Sequence, residues 1–120
     1  MQNKNDLEKR TTKFGSEVIL FVKELKRDVI NLPLINQIVR SSTSIGANYR
    51  EATGASSRKD FKNKLFICKK ECKETKHWLE IIAGANPEHK DPCRILWKEA
   101  QELTLIFSQA IITIEKKSKA

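Results

Sequence analysis

The sequence predicts an all-α fold, an antiparallel up-down four-helix bundle. Three observations lead there. Gly and Pro are scarce, four and three among 120 residues, so the chain has few places to break. Apolar residues recur at steps of four and three, the spacing that aligns one face of a helix. The connections that carry Pro, Gly and Ser are short, and short links between helices favour antiparallel neighbours. A chain of this length supports one core, so residues 1–120 read as a single domain. No strand alternation, internal repeat or low-complexity tract competes.

The first helix is expected over about Asp6 to Ile30, where Phe14, Val18, Phe21, Val22, Leu25 and Val29 follow helical spacing. Asn31 is placed to cap the next helix, with Pro33 in its first turn. That second helix runs to Thr53 on a stripe of Leu34, Ile38, Ile45, Tyr49 and Ala52. "TGASS" then breaks the chain, with Gly54 as the residue after the helix and Ser56 or Ser57 as the next cap, supported by Asp60 in the following first turn. The third helix is expected from Arg58 to Ala85. Phe61, Leu65, Cys68, Cys72, Thr75, Leu79 and Ile82 step by four and three throughout it, the clearest periodicity in the chain. "GANPEHKDP" reads as the one substantial loop, and Asp91 and Pro92 as the cap and first residue of the fourth helix. That helix carries Leu96, Ala100, Leu103, Phe107, Ala110 and Ile114, and its tail "EKKSKA" reads as frayed.

The stretch "RSSTSIGANYREA" on the second helix puts small polar residues where a bundle normally carries Leu. Ser41, Ser44, Gly46 and Ala47 would let another helix approach closely. Beside the core stripe runs a polar line of Arg40, Ser44, Asn48 and Glu51, and the third helix presents Glu71 and Glu74 on a flank. One reading is a structural network in which Arg40 meets Glu71 or Glu74, because a buried charge must be paired, and Asn48 satisfies backbone or hydroxyl groups nearby. The other is that Arg40, Asn48 and Glu51 line a binding or catalytic groove.

The formal net charge is +8, which favours an anionic partner such as nucleic acid, since polyphosphate binding is driven by counterion release. The third helix gathers Lys59, Lys62, Lys69, Lys70, Lys73 and Lys76 on one side. This face is a candidate phosphate-contacting ridge, and the plainer alternative is an ordinary solvated surface. Phe66 falls among these lysines, as a base-stacking platform or a contact between subunits. Ile19, Leu20, Leu105, Ile111 and Ile112 lie outside the single core stripes, which points to self-association or to a wide core face.

Other chemistry is absent from the pattern. There is no HExxH, C-x-x-C, Gly-rich phosphate loop or GxSxG. Cys68 and Cys72 sit on the heptad stripe, where Cys acts as a small hydrophobe, so with His77 they do not read as a metal site. Cys93 has no His beside it that would make it a nucleophile. No cofactor is expected. An odd cysteine count, no leader-like apolar run in "MQNKNDLEKRTTKFG" and no apolar block longer than "VILFV" suit a cytoplasmic protein without a membrane span.

"RSSTSIGANYREA" followed by "SRKDFKNKLFICKKECKETKHWLEII" resembles the four-helix bundle protein family, also called the 23S rRNA intervening-sequence protein family. The residues that carry the resemblance are Arg40, Ser44, Ile45, Ala47, Asn48 and Glu51 on the second helix. On the third they are Asp60, Phe61, Lys70, Glu71, Glu74, Thr75, Trp78 and Leu79. Many members have Pro where Gly46 stands, and continue Ile-Ala-Glu-Gly where Tyr49, Arg50, Glu51 and Ala52 stand, which marks a subgroup. The resemblance covers residues 40–82 closely and all four helices loosely. It implies a bacterial bundle that assembles as a homopentamer. It also implies similarity to the accessory protein of diversity-generating retroelements, a basic pentameric barrel that works with a reverse transcriptase and nucleic acid. It brings no catalytic residues with it. The expectation is a non-enzymatic, self-assembling bundle that binds nucleic acid, RNA before DNA, through Lys-rich faces. The alternative is a protein-interaction scaffold or accessory subunit that docks a partner enzyme such as a reverse transcriptase.

Overall fold

Apolar spacing becomes helix along nearly the whole chain. In the computed structural model, which describes residues 4–119, α1 spans Lys4–Val22, α2 Asn31–Thr53, α3 Arg58–Ala85 and α4 Lys90–Lys119, with a 3-10 turn at Pro87–His89. The helices run up and down side by side, and the principal extents are 52 × 21 × 20 Å. At about 1.5 Å per residue α4 alone accounts for most of the long axis. α2 packs on both α1 and α3, α3 also packs on α4, and α1 meets α4 more sparingly.

The periodic residues supply the core. Phe14, Val18, Ile38, Ile45, Leu65, Leu79, Ile82, Leu103 and Phe107 are buried, each worth roughly 1.5–3 kcal/mol for leaving water. Tyr49 and Phe107 meet with ring centroids 5.9 Å apart. Ile111, expected outside the stripe, belongs to the core, and Ile19 is half-buried.

The helix ends depart from the expected boundaries. α1 stops at Val22 instead of running to Ile30. Its last turn tightens into bonds from Glu24 N to Phe21 O (3.0 Å) and from Leu25 N to Val22 O (3.1 Å). Leu25 is still buried, but Val29 is 83% exposed and takes no part in the core. The second helix is capped by Asp28, not by Asn31. The Asp28 carboxylate accepts from Ile30 N at 3.1 Å and Asn31 N at 2.8 Å, so the backbone finds a side-chain partner here in place of a continued helix. Gly54 does follow α2, at φ −97°, so the end needs no left-handed residue. Ser57 caps α3, with Oγ accepting from Asp60 N at 3.0 Å. The expected loop before the fourth helix is mostly helical: after Asn86 the 3-10 turn leads straight into α4 at Lys90, ahead of the expected Asp91 cap. The tail expected to fray continues α4 to Lys119, and Ala120 lies outside the described residues.

Asn31 has a different task. It is buried and faces Asn86, at the end of α3, in a reciprocal amide pair: Asn31 Nδ2 donates to Asn86 Oδ1 at 3.0 Å, and Asn86 Nδ2 to Asn31 Oδ1 at 2.9 Å. Each Nδ2 also donates to a backbone carbonyl, of Lys26 and Ile82. This latch ties together the α1–α2 and α3–α4 turns. At the opposite end, where α1 begins and α4 finishes, the helices part over a cavity of about 550 Å³ lined by Leu7, Tyr49, Phe61, Leu65, Ile106 and Ile114.

Replacing Asn31 or Asn86 with Ala strands the surviving buried amide, at an expected cost of about 1–3 kcal/mol each. In urea denaturation the double variant should lose clearly less than the sum of the two single losses. Additive losses would show that the two amides do not act as a pair.

Candidate nucleic-acid interface

The small residues of α2 make sense because α2 is wedged between α1 and α3. On the α1 side, a Cβ on Gly46 would lie 3.2 Å from Thr11 Oγ1, and one on Gly15 would lie 3.4 Å from the Ser42 carbonyl. On the α3 side, Thr75 Oγ1 sits 2.8 Å from Ser41 Oγ and 2.8 Å from the Glu71 carbonyl, fully buried. Cys68 Sγ lies 3.6 Å from the Ile45 carbonyl. Larger side chains at these positions would push one neighbour or the other away.

The polar line beside this junction divides. Arg40 reaches across to α3, with Nη1 3.3 Å from Glu71 Oε1 and 3.4 Å from Oε2, while its Nη2 donates to Glu74. Glu74 also accepts from Trp78 Nε1 at 3.3 Å. Ser44 and Asn48 bond their own helix instead: Ser44 Oγ donates to the Arg40 carbonyl at 2.7 Å and Asn48 Nδ2 to the Ser44 carbonyl at 2.9 Å. Glu51 lies apart from Arg40 and pairs with Lys64 of α3 at 2.6 Å. Arg40, Asn48 and Glu51 therefore do not converge on one groove. Burial acts to raise the Glu74 carboxyl, but hydrogen bonds from Arg40 and Trp78 outweigh it and hold the group below its ordinary value. The hydrogen bond to Glu74, with the charge of Glu71 beside it, raises Arg40 against the opposing effect of burial.

The lysines lie on the outer face of α3, within about a third of its circumference at 100° per residue. Lys59, Lys70 and Lys73 are exposed, and Lys62, Lys69 and Lys76 are half-buried at the edges. Lys76 turns toward α4, where Nζ donates to Gln101 and stands 5.2 Å from the centre of the Trp97 ring. The other five make no ion pair among the described residues. The carboxylates of the helix have other hydrogen-bond partners: Glu71 and Glu74 accept from Arg40, Glu80 from Trp97 Nε1 at 3.0 Å, and Asp60 from the Ser56 hydroxyl at 3.2 Å. Phe66, Lys69, Lys70, Lys73, Glu74 and His77 together line a shallow depression on this face.

Periodicity gave no sign of the clasp between α1 and α4. Arg10 makes a two-pronged bond to Glu99, both arms 2.7 Å, and a third contact to Glu102 at 3.2 Å. The only trace in sequence is opposite charge on two helices, with nothing to say that they are neighbours.

The thiols show no sign of reactivity. Burial pushes Cys68 up to about 12 and Cys93 up to about 11, and raises Cys72 as well, so all three stay protonated at neutral pH. Among the described residues no group of three or more His, Cys, Asp or Glu side chains is placed to hold a metal ion, and no helix is long and apolar enough to cross a membrane.

These features define a basic, all-helical bundle with a lysine ridge on its third helix. The family model described as 23S rRNA-intervening sequence protein matches residues 3–109, and the chain belongs to that family. It is similar to the crystal structure of a protein of unknown function from the S23 ribosomal protein family of Bacteroides thetaiotaomicron VPI-5482. The two are 33% identical, the match covers 87% of this chain and 96% of that one, and the TM-score is 0.77. A search of curated proteins returned no match.

Arg40→Ala leaves the nearly buried Glu71 carboxylate without its cation. We expect a lower Tm at pH 7, equivalent to about 1–3 kcal/mol after allowing for the partial exposure of the pair. Glu74 is depressed in the folded state, so its share of the stability is present above its unfolded value near 4.5 and is lost as pH falls through the lower folded value. The Tm deficit of Arg40→Ala should therefore narrow in acid. A deficit independent of pH would assign the loss to packing instead.

Proposed function

We propose that this protein is a non-enzymatic, self-assembling bundle that binds nucleic acid electrostatically along α3, with RNA preferred to DNA. The observation that carries the reading is the set of five lysines, Lys59, Lys62, Lys69, Lys70 and Lys73, on one face without an ion pair among the described residues, while the carboxylates of the same helix hydrogen-bond to other partners, Glu74 also standing near enough to Lys70 to feel its charge. The net charge of +8 acts in the same direction. Lysine is a mobile point charge without the planar fork that reads base edges, so the expected mode is sequence-tolerant and sensitive to salt. The family's description names sequences intervening in 23S rRNA, and RNA is accordingly the first probe.

Self-assembly rests on exposed apolar side chains on the outer sides of two helices. Leu20 of α1 is 62% exposed, and Leu105 and Ile112 of α4 are 58% and 45% exposed. Leu105 and Ile112 are one heptad apart and share a face, the arrangement that a neighbouring helix covers. A homopentamer is the expected assembly.

In an RNA titration, the logarithm of the affinity should fall linearly with the logarithm of salt concentration, with a slope of about −0.7 to −0.9 per phosphate neutralised. Reversing Lys62, Lys69 and Lys73 to Glu should abolish binding. No detectable binding by the native protein at low salt would refute the nucleic-acid reading and leave the basic face as a surface for a protein partner. Separately, Leu105→Lys with Ile112→Lys should convert the native assembly to smaller species in sedimentation. An unchanged mass would place the subunit contact elsewhere.

A further inference from the structure

At 100° per residue, Phe66, Lys70, Lys73 and His77 follow the i, i+4, i+7, i+11 pattern and form one straight row along the outside of α3. Such a row on an inner face would be core. Here it is exposed: Phe66 shows 45% of its surface to solvent. His77 is exposed too, and its ring is braced edge-on by Trp78 with centroids 4.8 Å apart. Trp78 is itself held by Glu74, which is held by Arg40. The row therefore carries two flat π-surfaces about 16 Å apart along the helix, with two lysines between them, Lys69 beside them, and Glu74 at the edge held by Arg40.

We infer that this row is a binding site for single-stranded nucleic acid, with Phe66 and His77 as stacking platforms for bases and Lys69, Lys70 and Lys73 as contacts to the intervening phosphates. The inference rests on the nucleic-acid reading above and narrows it. A duplex keeps the faces of its bases stacked inside, and the major groove of A-form RNA is too narrow for side chains to reach them. A single strand can turn its bases out onto an aromatic ring, which tolerates any base because every base has a π-face. Lysines alone would not distinguish the two forms. An unsupported Phe in the middle of a lysine ridge does, because it adds a term that only an unpaired base collects.

The test compares a fluorescent oligouridylate with a duplex RNA of equal length, by anisotropy at one fixed salt concentration. Phe66→Ala should weaken oligouridylate binding about tenfold, the usual scale for removing one base stack, and leave duplex binding unchanged. Phe66→Trp should retain full affinity. Lys70→Gln with Lys73→Gln should weaken both forms together. If the native protein binds both RNAs but Phe66→Ala weakens neither or both equally, the single-strand inference fails while the broader reading stands. If the native protein binds neither, both fail. If Phe66→Ala lowers the sedimentation mass and leaves oligouridylate affinity intact, Phe66 is a contact between subunits and the inference is overturned.

Discussion

The carboxylate of Glu71 has almost no contact with solvent, and a charge in that position must be answered. Arg40 answers it from the neighbouring helix, and with its second nitrogen also holds Glu74. A paired buried charge of this kind adds little net stability, because desolvation offsets most of the attraction. Its effect is on register: α2 and α3 can slide past one another only by stranding Glu71. The same pairing shapes the outside of the molecule. With Glu71 turned inward and Glu74 tied to Arg40 at the edge of the basic face, the lysines of α3 outnumber the carboxylates beside them. The polar contact inside the junction and the basic surface outside it are two consequences of where these carboxylates point.

That junction depends in turn on how near the helices come. Gly46 against Thr11, Gly15 against Ser42 and Ser41 against Thr75 leave no room for branched side chains. Gly in a helix interior costs about 1 kcal/mol relative to Ala, and the buried serines bring polar atoms into the core. These costs are offset by close packing on both sides of α2; the Ser41 and Ser42 hydroxyls donate to carbonyls of their own helix, and Ser41 also accepts from Thr75 of α3. α2 is thus the central helix of the α1–α2–α3 layer, with little freedom in composition on either side.

The fold class was legible because heptad spacing depends only on neighbours along the chain, and the stripe from Leu65 to Ile82 keeps it without interruption. The helix ends were harder. The apolar rhythm continues through Leu25 and Val29, but Asp28 offers the backbone a local acceptor and the helix stops before it. Asn31 looked like a cap from its place before Pro33. Its true partner is Asn86, 55 residues away, and no local pattern encodes that. For the candidate site, angular spacing places lysines on a face but cannot say whether each ammonium group is free. Lys76 leans onto Trp97 and Lys64 onto Glu51 because of which helix lies alongside. Asn48, expected to satisfy backbone or hydroxyl groups nearby, does so on its own helix, at the Ser44 carbonyl.

The two ends of the bundle are unlike. At one, the Asn31–Asn86 amides bind the two turns into a single block. At the other, where the N-terminal part of α1 and the last turns of α4 flank the cavity, apolar side chains meet without filling the space. The cavity leaves fewer packed atoms to separate there, which lowers the cost of local opening. The molecule therefore has a clamped pole and a yielding one. Any parting of α1 from α4 that starts at the yielding pole has to break the Arg10–Glu99 clasp before it can spread along the seam.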